Sequence, residues 1–477
     1  MQLSAFDAVR TALAESLPMR TAVNNLLLQA QSVATVARAE FSPKLGTSAS
    51  TQRVVQVMDN LQRPTLQTTA ALDLNWRLRT GANIKLSNGL TRSLVSGQPA
   101  PTGNALSLSM TQPLLRGAGR EVTEAALVSA ESNIRVAIRY LGQTAQALVI
   151  QVLGAYVAVQ QAQAATQQAR VAYELAQRVH ELNIALVDAG RSPRSVVLRS
   201  ESDLSAAQLG IAQAENAQRQ AVRALALAMG QSNRFDGFQL VLTDKLDKED
   251  EEYTPDEQTL VAKALDSSAE LFAAQAVVSL AELALKVAND GLLPSLALSV
   301  GSTLSSASVP TGSTSFAPTS VASSGRGRDY SVGVSFEYSF DQAPTKLAKS
   351  TAEINLETAR AQLMNGEQQV RDAAVDALRN LTFARAQYAL ARTALALANQ
   401  QLDSEVTRQE LGRVSQLELT NAQQALAAAN RQLLDAGTQV FRSRAELAQI
   451  DGTLLQKWRS ETVLQEWIAQ VNGVLQR

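Results

Sequence analysis

The chain contains no cysteine. That excludes a disulfide framework, a thiolate zinc site and a cysteine nucleophile. An oxidising compartment is compatible with it. Aromatic residues make up only 4%, too few for a thick globular core. No unbroken apolar run approaches the roughly 18–20 residues of a transmembrane helix. Neither sign of charge prevails: 43 Lys and Arg stand against 44 Asp and Glu, a formal net charge of −1. No nucleic-acid partner is therefore expected on electrostatic grounds. No signal peptide opens the sequence, because Met1 leads straight into a helix near Ser4. If the protein is exported, its signal is expected to have been removed already.

What is abundant is alanine, glutamine, leucine and serine, a composition suited to closely packed helices with small contacts. The order of elements occurs twice. A helix of about 37 residues is followed by a β-rich stretch, a helix of about 70, a tight turn and another helix of about 37. At ~1.5 Å per residue the long helix spans roughly 105 Å, against a usual mean of about 11–12 residues. Such a body is a long tube or rod. The expected layout is a first repeat over 1–230, a linker over 231–253, a second repeat over 254–450 and a tail over 451–477. Residues match as well as layout: Ala-Glu-Ser-Asn-Ile at 130–134 parallels Ala-Glu-Ile-Asn-Leu at 352–356, and Gly190-Arg191 parallels Gly412-Arg413.

Alternation of apolar and polar residues marks strands. Leu72, Leu74, Trp76 and Leu78 alternate with polar neighbours, as do Leu106, Leu108 and Met110. In the second half, strands are expected at about 292–304 and 329–340, the latter through Tyr330, Val332, Val334, Phe336, Tyr338 and Phe340. A polar loop rich in Ser, Thr, Gly and Pro separates them. A short strand is expected near Phe238, Leu240 and Leu242. The long helices carry seams spaced four and three apart: Leu141, Ala145, Leu148, Val152, Ala155, Val159, then Val370, Ala374, Ala377, Leu381, Ala384, Tyr388, Ala391, Leu395. That spacing makes coiled-coil contacts, with alanines allowing close approach.

Two strands per repeat cannot close a sheet, and open edges invite pairing. A barrel shared between copies of the chain removes them. Apolar-outward, polar-inward alternation suits a barrel in lipid, with Trp76, Tyr330 and Tyr338 as interface candidates. Helices that return to the same end of the sheet make barrel and tube coaxial.

On these residues the chain resembles the TolC-like outer membrane efflux protein family. The likeness rests on Leu-Ser-Leu-Ser-Met-Thr-Gln-Pro-Leu-Leu at 106–115 with Arg-Gly-Ala-Gly-Arg at 116–120. The opening Ser4-Ala5-Phe6-Asp7-Ala8-Val9, the two Gly-Arg turns and the duplication add to it. The resemblance implies a mainly α fold with a β-barrel portion. Duplicated coiled-coil hairpins would form an α-helical barrel coaxial with a transmembrane β-barrel shared by a homotrimer. Each protomer would give four strands to twelve. The implied function is an outer-membrane export duct of a tripartite efflux or type I secretion system. Its partners would be a periplasmic adapter, an inner-membrane pump of RND, ABC or MFS type, and outer-membrane lipid. The implied place is the outer membrane with a long periplasmic extension. No cofactor or metal is implied. One departure stands out: residues 66–90 hold an additional alternating pair. It either adds two strands per protomer or forms an external hairpin, and the four-strand core is the favoured expectation.

The family's pore narrows at the helix-turn-helix tips. Matching from Gly412 places Glu418 and Asn421 at the constriction. The plainer account of Glu418 is a capping box, Ser415-x-x-Glu418, that merely starts a helix. Gly190, Arg191, Gly412 and Arg413 are the candidate adapter-docking tips, although turn chemistry explains both glycines. Gln112, Pro113, Gly117 and Gly119 form the expected strand-to-helix junction. Gly117-Ala118-Gly119 is no phosphate loop, since no Lys-Ser/Thr follows. His180 reads as a surface histidine. Asp372 and Asp376 read as a solvated charged stripe with Arg371 and Arg379. No enzyme is expected. A filament-forming coiled-coil protein would share the composition but would not need two strand inserts between matched helices. A periplasmic adapter would carry only one hairpin.

Overall fold

The computed structural model describes residues 2–58, 61–95, 102–191, 193–231, 241–243, 255–308, 326–410, 416–458, 465 and 467–469. In chain order the elements are β1 (Gln2–Leu3), α1 (Ala5–Glu15), α2 (Leu17–Phe41), β2 (Lys44–Met58), β3 (Leu61–Arg77), β4 (Asn83–Val95) and β5 (Thr102–Pro113). There follow α3 (Arg120–Thr123), α4 (Ala125–Asp188), α5 (Arg194–Ala228), β6 (Val241–Leu242), α6 (Glu257–Ser267) and α7 (Ala269–Gly291). The chain ends with β7 (Ser295–Ser308), β8 (Arg326–Glu337), α8 (Ala343–Glu410), α9 (Gln416–Ile450) and α10 (Leu454–Lys457). Two compact units result, each drawing on both halves of the sequence. One holds Leu28–Arg135 and Ala274–Leu363; the other holds Met1–Leu27, Val136–Ala273 and Met364–Arg477.

The first unit is built on a six-stranded sheet, ordered β2-β3-β4-β5-β7-β8 and antiparallel throughout. This corrects the four-strand expectation. The pair over 66–90 is neither external nor separate: β3 and β4 lie inside the sheet. The register gives the reason. Leu45 faces Leu74, Leu74 faces Leu86, Leu86 faces Leu108, and the row continues to Ser302 and Tyr330. A second row joins Trp76, Ile84, Met110, Val300 and Val332. The apolar sides of β3 and β4 thus continue the apolar side of their neighbours, and cross-strand pairs of this kind are what stabilise a sheet. A detached hairpin would lose them and be marginal alone. The opposite face is polar or small, with rows such as Gly46, Asp73, Ser87, Ser107, Thr303 and Asp329.

The second unit is helical. In its first-repeat portion, Leu141, Ala145, Leu148, Val152 and Val159 of α4 are all buried, with Tyr156 among them. The Tyr156 hydroxyl donates to the carbonyl of Leu3 at 3.0 Å, and β1 pairs in parallel with β6. The expected strand near 238–242 is therefore a two-residue strand at Val241–Leu242; Phe238 and Leu240 lie outside the described residues. In the second-repeat portion, Leu260, Ala264, Ala374, Ala377, Leu381 and Leu447 pack together, flanked by Val261, Val370, Leu378, Val440 and Ile450. The 4-3 seams of the sequence are thus the buried lines of α4 and α8.

The first helix of each repeat, expected as one of about 37 residues, is in fact two, whereas α5 and α9 are unbroken. Ser16 separates α1 from α2, and Ser268 separates α6 from α7, both with extended backbone (ψ 146° and 117°). Pro18 sits in the first turn of α2, where no N–H is required. Ser268 accepts from the N–H of Leu271 at 3.2 Å and so caps α7. The breaks recur at equivalent places, so the duplication extends to the interruptions. Helices α4 and α7 are long and apolar enough to cross a membrane by length and composition, although neither is an unbroken apolar run. On α7, Glu282 pairs with Arg360 of α8 at 2.9 Å and Lys286 with Glu121 of α3 at 3.1 Å. Those pairs tie α7 to α8 and α3.

Candidate functional site

The strand-to-helix junction is held by backbone contacts. β5 ends at Pro113, which cannot donate to the ladder. Beyond it the N–H of Leu114 donates to the carbonyl of Leu296 at 2.8 Å, and that of Gly117 to Asp290 Oδ2 at 2.8 Å. Asp290 stands at the end of α7, so one carboxylate ties the β5 exit to the second repeat. Gln112 Nε2 donates to the carbonyls of Pro113 (2.8 Å) and Thr80 (3.3 Å). Gly117 and Gly119 have φ of +77° and +92°, a region L residues rarely adopt.

The β3–β4 turn completes the junction. Gly81 (φ +90°) lies so close to the chain after β5 that an added Cβ would stand 2.5 Å from the Gly117 carbonyl oxygen. Trp76 Nε1 donates to the carbonyl of Phe41 at 2.9 Å, and Arg77 pairs with Glu40 at 2.8 Å, anchoring β3 to the end of α2. Arg79 pairs with Glu124 at 3.5 Å and lies over the Phe41 ring. The four junction residues expected from sequence are thus together, joined by Thr80, Gly81 and Asp290, which sequence reasoning missed. The available signal was Arg79-Thr80-Gly81-Ala82, a turn between two alternating stretches.

The tips are described on one side. Gly190 has φ +67°. Its N–H donates to Val187 (3.0 Å), and the Arg191 N–H donates to Leu186 (2.9 Å). This is the Schellman pattern, which requires the left-handed residue at Gly190. Arg191 is exposed. Gly412 and Arg413 lie outside the described residues, as does Ser415 of the expected capping box. Glu418 is exposed in the first turn of α9, with Asn421 exposed three residues on. Both therefore share a face at the start of that helix.

Other candidates have structural roles. His180 is half-buried rather than a surface residue: its Nδ1 lies 2.9 Å from Ser200 Oγ, which donates to the carbonyl of Val197. The contact joins α4 to α5. Asp376 pairs with Arg379 and Asp372 accepts from Gln368, as in a charged stripe. No cluster of potential metal ligands exists among the described residues.

With this geometry in view, comparison with known proteins is decisive. The outer membrane efflux protein family model matches residues 260–453. The matched segment runs from within α6 through α9 and so contains β7, β8, α8 and the Glu418 turn. The rest of the chain is covered by fold. The outer-membrane channel OprN superposes with a TM-score of 0.68 at 18% identity, over 94% of this chain and 91% of that one. CusC, a protein that forms a transmembrane channel, gives 0.67 at 16%, over 94% and 91%. The outer membrane protein VceC of Vibrio cholerae gives 0.65 at 17%, over 93% and 95%. No curated protein matches the chain in sequence. The fold is therefore that of these outer-membrane channels, mainly helical with a smaller antiparallel sheet.

Proposed function

We propose that the chain is the outer-membrane duct of a tripartite efflux or type I secretion system, passively conducting small molecules or proteins. The observation that carries this is the sheet: one face bears an apolar band, through Leu74, Leu86, Leu108, Val300 and Val332, and the other is polar or small, on a fold shared with outer-membrane channels. Tyr330, Val332, Val334 and Phe336 are 66–77% exposed on the apolar side of β8. A sheet with that bare face is explained by lipid on its outside and water on its inside.

The working form is a homotrimer in the outer membrane with a long periplasmic extension. Phe383, Leu390 and Leu397 of α8 are 64%, 72% and 61% exposed. They recur every seven residues, the spacing of a second coiled-coil seam that a single chain leaves uncovered. A second copy of the chain supplies the cover. The remaining partners are a periplasmic adapter and an inner-membrane pump, and the chain itself performs no catalysis. Purified protein in a planar bilayer gives steady ion conductance. Absence of conductance in every orientation and at every voltage would overturn the duct.

Glu418 and Asn421 line the constriction, and Arg191 and Arg413 contact the adapter. Three Glu418 carboxylates on a symmetry axis bind cations more strongly than one would. Glu418→Gln is expected to weaken block by divalent cations about ten-fold, a coupling of roughly 1.4 kcal/mol. Unchanged block with normal helix content would leave Glu418 only a helix-start residue. Reversing Arg191 and Arg413 to glutamate is expected to weaken adapter capture at least ten-fold while bilayer conductance persists. Full capture would remove the tips from the docking surface.

A further inference from the structure

The unpaired edges of the sheet have a specific occupant. We propose that β8 of one chain pairs with β2 of the next, so that three copies close an eighteen-stranded barrel, wider than four strands per protomer would give. This rests on the duct reading for the three-fold symmetry and goes beyond it in strand number and pore size.

Six strands cannot close alone, since the smallest membrane barrels have about eight. The strand directions alternate across the sheet, so β2 and β8 run opposite to each other. β8 of one copy therefore meets β2 of another in antiparallel sense, continuing the pattern without a break. The edge strands are 15 and 12 residues long, comparable with the inner ones. Neither contains the proline with which exposed edges are commonly blunted. The first of the two rows reaches both edges, at Leu45 and at Tyr330. The apolar side of β7, from Leu296 to Leu304, covers ~26 Å along the strand at ~3.3 Å per residue, or ~20 Å of height at a tilt of ~40°, within the roughly 25 Å apolar band of such barrels.

Strand number sets the bore. With strands ~4.8 Å apart and tilted ~40°, eighteen close a cylinder ~36 Å across and twelve one of ~24 Å. Barrels of about 16–18 strands leave an aqueous channel rather than a side-chain plug. The inner face of β7 and β8 keeps that channel open. Gly301 faces Ser331, Ser299 faces Gly333 and Ser305 faces Gly327, so small residues meet small residues across the pair.

The test is electron cryo-microscopy of the full chain in detergent, counting strands in the barrel. A three-fold particle with eighteen strands and β3 and β4 in the wall is expected. A three-fold particle with a twelve-strand wall and β3–β4 folded outside it would overturn this inference and leave the duct standing. Particles with no closed barrel would overturn both. A variant lacking residues 61–95 keeps the alternation of strand direction by joining β2 to β5. It is expected to form a barrel about one third narrower. An unchanged diameter in that variant would contradict the inference, and the strand count of the unaltered chain decides independently if the variant does not fold.

Discussion

Gly81→Ala is expected to destabilise the sheet unit by about 3 kcal/mol and to prevent the strands from meeting the helices correctly. Two effects add. The first is conformational: φ at +90° costs an L residue about 1–2 kcal/mol. The second is steric. The new Cβ would sit 2.5 Å from the Gly117 carbonyl oxygen and 3.2 Å from Pro113 Cγ and Thr123 Oγ1. The nearest of these atoms is a backbone oxygen rather than the end of a flexible side chain, so relief requires the chain itself to shift. Gly117→Ala is the control. It has positive φ but no neighbour within 4 Å of the added carbon. Thermal unfolding followed by circular dichroism should place Gly81→Ala well below Gly117→Ala. Equal midpoints would mean that the close approach of the β3–β4 turn to the chain after β5 contributes nothing.

Leu381→Ala is expected to cost the helical unit about 3 kcal/mol, within the range of roughly 2–5 kcal/mol for buried leucines. Leu381 is 1% exposed and touches the cluster of Leu260, Ala264, Ala374, Ala377 and Leu447. Three helices meet there, so removal of the side chain leaves a cavity that no single helix can shift to fill. Leu390→Ala, nine residues along the same helix, discriminates packing within the chain from packing between chains. Leu390 is 72% exposed in the single chain. Its loss should leave the unfolding midpoint of monomeric protein nearly unchanged while reducing the trimer fraction measured by light scattering. A midpoint loss at Leu390 as large as at Leu381 would contradict the two-seam reading of α8.

The same contrast explains which parts of the protein could be read early. Seams such as Leu141-Ala145-Leu148-Val152 announce themselves because a helix repeats every 3.6 residues, and only residues on one side can be covered. The Gly190 turn was legible because a Schellman motif needs a residue with positive φ and glycine supplies it. The breaks at Ser16 and Ser268 were not legible, since both lie within helical periodicity and only the change to extended backbone reveals them. His180 looked exposed from its polar helical neighbours, but Ser200 comes from another helix twenty residues away in sequence.

Strand number shows the boundary most clearly. Alternation in residues 66–90 revealed a pair of strands but not their neighbours, because alternation describes two faces of a strand and not its edges. The decision came from cross-strand register, with Leu74 between Leu45 and Leu86 and β4 beside β5. Long-range placement likewise joined Gly117 to Asp290, 173 positions apart. The sequence by itself determined the duplicated order of elements, the length and buried lines of the long helices, and the two-faced character of the strands. Each follows from local periodicity and local backbone preference. Only the tertiary structure decided how many strands share one sheet, which glycine lies against which carbonyl, and where the first helix of each repeat breaks. Those depend on partners brought together across the chain, which no local pattern encodes.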